Sequence, residues 1–178
     1  MTEQVLLLPG WYNSGAAHWQ SHWETRYGDQ RVQQADWDAP VKTDWIATLE
    51  NAVADASGPV LLAAHSLGCV LVAAWAAQSG LTHKVRGALL VAPGDVEQAD
   101  IAAGLPGWGA VPMQALPFAA HLIISSNDPY CSLARAQAMG MAWGVRVTLL
   151  GAVGHINSDS GLGDWPQGRQ WLDELRLA

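Results

Sequence analysis

The stretch LLAAHSLGCVLVAAWAA, residues 61–77, is apolar from end to end except for one polar pair, His65 and Ser66. A polar side chain in apolar surroundings is unfavourable unless it finds a partner, so the pair asks for a reason. A membrane span needs about 20 predominantly apolar residues. This run is interrupted by His65, Ser66 and Gly68 and turns alanine-rich in its second half, so it does not read as one. It divides instead into strand, turn and helix. Residues 60–64 follow the Gly58-Pro59 breaker and form the short apolar run expected of a buried parallel strand. From Leu67 onward, alanine and leucine favour helix. The polar pair then falls at the junction.

The same strand pattern recurs along the chain. Residues 5–8 run into Pro9-Gly10, 85–91 into Ala92-Pro93-Gly94, 121–125 into Asn127-Asp128-Pro129, and 145–150 into Gly151. Residues 31–35 are weaker, with Val32 alone strongly strand-forming. Helix-like segments lie between, at 17–27, 44–56, 67–78, 133–140 and 165–175, with Asp44 placed as an N-cap. Strands alternating with helices imply an α/β architecture: a mostly parallel six-stranded sheet with helices on both faces, in one domain spanning 1–178. Residues 95–117 break the alternation. They carry Gly104, Pro106, Gly107, Gly109, Pro112 and Pro117, and read as an irregular excursion above the sheet.

Composition narrows the function. Half of the 178 residues are hydrophobic and 14% are charged, which suits a domain with a sizeable core. The net charge of −7 argues against nucleic-acid binding, because an acidic surface repels phosphates. Two cysteines, Cys69 and Cys131, are too few for a disulfide scaffold and read as free thiols of a reducing, cytoplasmic compartment. The opening MTEQVLLLPGW has no basic n-region and only a short apolar run, so no signal peptide is expected.

In open parallel sheets, ligands bind beyond the carboxyl ends of the strands. The residues found there are Gly10, Trp11 and Tyr12, then His65 and Ser66, then Asp95, then Asp128, and last His155 in GAVGHINSDSG. A serine, a carboxylate and a histidine at one sheet edge are the parts of a nucleophilic triad. Serine is a weak nucleophile near neutral pH and needs an adjacent base. Histidine suits that proton transfer, and a carboxylate holds its tautomer and stabilises the imidazolium. A sharp strand-to-helix turn would present Ser66 and place the next N–H, that of Leu67, where an oxyanion develops. Such an elbow needs small residues two before and two after the serine. Here these are Ala64 and Gly68, in A-H-S-L-G rather than the usual G-x-S-x-G. Asp128 and Asp95 both follow strands and compete for His155.

The order Ser66, Asp128, His155 is that of the α/β-hydrolase superfamily. The chain resembles one small branch of it, which holds retinoblastoma-binding protein 9 and its bacterial YdeN-like relatives. The resemblance runs nearly the full length, on LLLPGW, HWQSHWE, AHSLG, SSNDPYCS and GHINSDSGLGDWPQG. It implies a compact hydrolase fold lacking the first two strands of larger members. It also implies serine hydrolase activity on esters or other small acyl compounds, and it favours Asp128, whose loop it covers, over Asp95. On this reading Ser66, His155 and Asp128 form the triad, the N–H groups of Trp11 and Leu67 hold the oxyanion, and no cofactor or metal is needed. A small acyl compound is the expected partner, with no nucleic acid and no membrane.

Other residues carry blander readings. His65 occupies the variable position of the elbow, which tolerates many residues, and its side chain is expected to pack or hydrogen-bond. His18 and His22 stand four apart on a helix, a spacing that can hold zinc, but no third ligand is evident. Trp19 and Trp23 share that spacing and suggest a packing stripe. Of the ten tryptophans, Trp11 and Trp108 are expected near the site. His121 opens a strand and reads as structural. Cys131 lacks a strand-to-helix elbow. The alternative to hydrolysis is a binding protein that keeps the fold with little turnover; acyl transfer to an acceptor other than water is a third reading.

Overall fold

The structure is a computed structural model and describes residues 3–177. Strands β1 (Gln4–Leu8), β2 (Gln30–Arg31), β3 (Val60–His65), β4 (Val85–Val91), β5 (Ala120–Ile124) and β6 (Arg146–Leu149) pair in parallel throughout, in the order β2-β1-β3-β4-β5-β6. Between them run α1 (Trp19–Tyr27), α2 (Lys42–Asp55), α3 (Leu67–Ala76), α4 (Ala99–Gly104), α5 (Leu133–Trp143) and α6 (Pro166–Glu174).

Alternation along the strands builds two cores, because successive side chains leave opposite faces of a sheet. Leu6, Leu8, Leu62, Ala64 and Leu90 meet Trp45 and Leu49 of α2, Val70 of α3 and Met139 of α5. Val5, Leu7, Leu61, Ala63 and Leu89 meet Trp19 and Trp23 of α1 and Trp171 and Leu172 of α6. The expected Trp19/Trp23 stripe is therefore a core stripe. Every residue of α3 from Leu67 to Trp75 is buried. Its apolar character all round is that of a helix in the middle of a protein layer. Among the described residues no helix is long and apolar enough to cross a membrane.

Strand order reverses beside β1. The chain steps from β1 outward to β2, then crosses back to β3 on the other side. That switch point, with the loops after β1 and β3 diverging, is where a doubly wound sheet opens a crevice.

Several expectations shift. The strand expected at 31–35 shrinks to Gln30–Arg31 at the sheet edge. Val32 N–H still donates to Leu7 O, but the carboxylate of Asp36 then accepts from the N–H groups of Asp38 and Ala39 and turns the chain away. Asp44 is not the cap of α2. The helix begins at Lys42 after Val41, which makes no side-chain cap bond, and Asp44 sits in the first turn, where its charge faces the positive end of the helix. The excursion at 95–117 contains α4, a helix that its glycines and prolines hid.

Candidate active site

Ser66 joins β3 to α3 with φ 55° and ψ −120°. A non-glycine residue held there is strained by about 1–3 kcal/mol, so its surroundings must impose the geometry. Ser66 N–H donates to Val91 O at 3.0 Å, and Cys69 N–H donates to Ser66 O at 2.9 Å. Gly68 lies so close beneath β1 that a Cβ would overlap the carbonyl oxygen of Leu8. From the other side, a Cβ on Gly10 would stand 2.8 Å from Ser66 Cβ and 3.1 Å from Leu67 N. The requirement for small residues at the elbow thus extends to Gly10, a residue on another loop.

The bend aims Ser66 Oγ at His155 Nε2, 2.8 Å away. On the far side of the ring, Nδ1 lies 2.9 Å from both carboxylate oxygens of Asp128. A carboxylate can only accept, so the neutral ring carries its proton on Nδ1 and leaves Nε2 free to accept from Ser66. The His155 and Asp128 side chains are 9% and 4% exposed, so water screens their attraction little. Asp95 does not meet His155. Its carboxylate accepts from Glu97 N–H at 3.2 Å and pairs with Arg135 Nε at 3.4 Å.

The acid and histidine loops are stitched to each other, which accounts for the length of the two motifs that contain them. Asn127 Oδ1 accepts from Gly154 N–H at 2.8 Å and from Ser125 Oγ at 3.0 Å. Ser125 Oγ accepts from Val153 N–H, and Ser126 N–H donates to Gly151 O. Asp128 Oδ1 also accepts from Tyr130 N–H. Ser160 Oγ donates to Val153 O and accepts from Asn157 N–H. A carboxylate and an imidazole on loops 27 residues apart are held in register by these bonds.

Trp11 follows Gly10 at the end of β1, and Leu67 opens α3. Neither backbone N–H has a hydrogen-bond partner among the described residues. Gly10 lies against Ser66 and Leu67, so the two donors sit beside the same serine.

His65 has a more specific place than a tolerant position suggests. Its ring is 5% exposed, and Nε2–H donates to the main-chain oxygen of His155 at 2.8 Å. It lies between His155 and His18, with ring centroids 4.8 and 4.6 Å apart. Burial holds His65 well below the usual histidine range. Burial, helped by Arg31, pushes His18 down to about 3. His18 caps α1 by accepting from Gln20 N–H at Nδ1, while His22 turns to Asp164. The pair that could have shared a zinc ion thus points to different partners. His121 is buried and bonds Thr148 Oγ1 at 2.8 Å. Cys69 and Cys131 are both free; burial raises both thiols, that of Cys131 to about 12, so neither is a ready nucleophile near neutrality.

Above Ser66 opens a cavity of about 550 Å³. Trp11 lines it as expected; Trp108 does not. Trp108 is fully buried, edge-on to Trp45, with Nε1–H donating to Pro40 O. Two further aromatic residues, given no role at the cavity from the sequence, also line it. Tyr12 stacks on Trp11 at 4.8 Å, and Tyr130 stands edge-on to His155 at 4.6 Å. The available signal was their place, Tyr12 directly after Trp11 and Tyr130 two residues after Asp128. Val96, Ile101 and Leu105 of the excursion also line the cavity.

A parallel sheet with a serine at a strained strand-to-helix turn and a histidine and carboxylate on later loops defines the α/β-hydrolase fold. A family profile described as serine hydrolase matches residues 5–174, and the chain belongs to that family. Among solved structures it is similar to a YdeN-like hydrolase of Pectobacterium atrosepticum, 29% identical, with 99% of this chain and 91% of that one covered at a TM-score of 0.86. The ydeN gene product of B. subtilis is 17% identical over 99% of this chain and 100% of that one, at a TM-score of 0.73. A thermophilic esterase of Thermogutta terrifontis shares the fold at 14% identity and a TM-score of 0.68, over 99% of this chain and 91% of that one. A comparison with curated proteins found no match. The resemblance to YdeN-like hydrolases read from the sequence is borne out, and the protein is a serine hydrolase.

Proposed function

We propose that the protein cleaves a small carboxylic ester, or a related acyl compound, through an acyl-enzyme on Ser66. His155 takes the Ser66 proton as Oγ attacks the carbonyl carbon. Asp128 holds the imidazole in the required tautomer and stabilises the imidazolium. The N–H groups of Trp11 and Leu67 receive the negative charge on the carbonyl oxygen. His155 returns the proton to the leaving alcohol, then activates the water that releases the acid. The single observation that carries this reading is the unbroken line Asp128–His155–Ser66, at 2.9 and 2.8 Å, ending on a serine at a strained elbow. Strain of this kind is kept where the geometry is used. The free, buried thiols Cys69 and Cys131 fit a reducing, cytoplasmic setting.

Labelling with a fluorophosphonate, followed by peptide mapping, tests the assignment. The adduct is expected on Ser66 and absent from Ser66→Ala. A folded wild-type protein that does not label would move the chain to the alternative, a binding protein on a hydrolase fold.

A further inference from the structure

The cavity above Ser66 has an uneven charge pattern. Its ionisable wall residues are Asp100, three histidines and two tyrosines, and no lysine or arginine lines it. Two of the histidines, His18 and His65, are kept neutral by burial. Basic side chains around it are committed elsewhere. Arg31 binds Glu24, Asn13 Oδ1, Ser14 O and Ser21 Oγ; Arg135 pairs with Asp95 and Glu97; Lys42 Nζ donates to Trp108 O. Asp100 is exposed and has no ion-pair or hydrogen-bond partner among the described residues.

Asp100 stands in the first turn of α4, where an acid is favourable for the helix alone. Its neighbours give it a second meaning. Asp100 and Gly104 are one turn apart and share a face of α4. Gly104 packs so tightly on Trp11 that a Cβ would overlap the six-membered ring of the indole. The Asp100 face of α4 is therefore the face turned to Trp11, and Asp100 and Trp11 both line the cavity. Trp11 is stacked on Tyr12 with an interplanar angle of 12°, its Nε1–H donating to Asp38 O. Tyr12 is 64% exposed and stands on a backbone with φ 65°, followed by Asn13 at φ 65°. Tyr12 thus leaves most of its ring in solvent at the cavity wall while stacked on Trp11. Tyr130, 47% exposed, stands over His155 on the same cavity. Aromatic faces and an unpaired carboxylate in a cavity without a basic side chain are the elements that hold organic cations.

We propose that the cavity seats a cationic substrate group, an alkylammonium, against Trp11, Tyr12 and Asp100, so that esters carrying such a group are preferred to neutral and anionic ones. The word "esters" rests on the hydrolase reading; the cation site itself does not. A trimethylammonium head suits the site because it is bulky, weakly hydrated and unable to demand hydrogen bonds. An anionic acyl group would enter the same space without a counter-charge.

Two measurements on one matched pair test this. Butyrylcholine and 3,3-dimethylbutyl butyrate have the same shape and differ in a quaternary nitrogen replaced by carbon. Binding of each to Ser66→Ala is followed by titration calorimetry, and kcat/KM of each is measured on the wild-type enzyme. Butyrylcholine is expected to bind Ser66→Ala about tenfold more tightly than its neutral twin, the scale of a cation on an aromatic face with a nearby carboxylate. That ratio should fall with added salt and drop severalfold in a second background carrying Asp100→Asn or Tyr12→Leu. Equal or weaker binding of the choline ester, or no measurable binding of either, overturns the cation site. Preferential binding to Ser66→Ala with no wild-type turnover of either ester keeps the cation site and sinks the hydrolase reading. Turnover of both at equal kcat/KM does the reverse.

Discussion

Acidification from pH 7.5 to 5.0 should strip the protein of at least about 2 kcal/mol of stability through two histidines that wall the cavity above Ser66. His18 and His65 are buried and neutral in the folded state, His18 at about 3 and His65 well below the ordinary value of 6.5. In the unfolded chain both titrate near 6.5. A histidine with a depressed folded value contributes stability that is fully present above 6.5. That contribution is lost as pH falls below 6.5, because the unfolded state takes up protons that the folded state refuses. The loss grows until pH reaches the folded value, so for His18 it continues down to about 3. At pH 5 His18 has forfeited 1.5 pH units at 1.36 kcal/mol each, or about 2 kcal/mol, and His65 loses stability in the same direction. Asp29, whose carboxyl is raised by burial, acts in the opposite direction and trims the total. Urea denaturation at the two pH values measures the difference. With a slope of about 2 kcal/mol per molar for a chain of this size, the midpoint should move down by at least about 1 M. His18→Asn assigns the share of one ring: asparagine also serves as an N-cap, so the α1 cap survives while the titrating group is gone. The variant loses some packing at both pH values, but its pH 7.5-to-5.0 difference should shrink by about 2 kcal/mol. A wild-type midpoint that moves by less than about 0.5 M would refute the reasoning, since it would mean that one or both rings accept a proton in the folded state.

Three further outcomes follow from the site. Asp128→Asn should lower kcat by about four orders of magnitude by favouring the wrong His155 tautomer, while Asp95→Asn changes it little; steady-state kinetics showing the larger loss at Asp95 would reverse the assignment. Gly10→Ala should lower kcat by at least about tenfold, because its Cβ would meet Ser66 Cβ at 2.8 Å and crowd Leu67 N, the proposed oxyanion donor, at 3.1 Å; near wild-type turnover would remove Gly10 from the elbow. His155→Gln should lower kcat by several orders of magnitude, because no base is left to accept the Ser66 proton, and near wild-type turnover in steady-state kinetics would exclude a histidine base.

How much of this was readable before the chain was folded depended on how local the signal was. The elbow was legible because strand, small residue, serine, small residue and helix are consecutive, and sterics at Ala64 and Gly68 act over five residues. The order of strands along the chain was legible for the same reason, since each apolar run ended at a nearby Gly or Pro. Strand 31–35 was overestimated because an edge strand needs only two residues to pair, and the Asx turn at Asp36 then competes for the backbone. Asp128 and Asp95 were equivalent to a local reading, both following strands. Tertiary contact separates them: Arg135, on α5, takes Asp95 and leaves Asp128 to His155.

The chain alone determined an α/β hydrolase with Ser66 at its elbow, because periodicity and turn chemistry are written residue by residue. It could not show that Gly10 must be small, since the atoms it would strike belong to a loop 56 residues away. Nor could it show that His65 holds the His155 carbonyl across 90 residues. Trp11 and Trp108 are the same residue type in similar glycine-bearing surroundings, yet one walls the cavity and the other is sealed beneath α2. Which tryptophan lines the cavity is decided by how α4 and its flanking loops fold back over the sheet, and that is a matter of packing between segments distant in sequence.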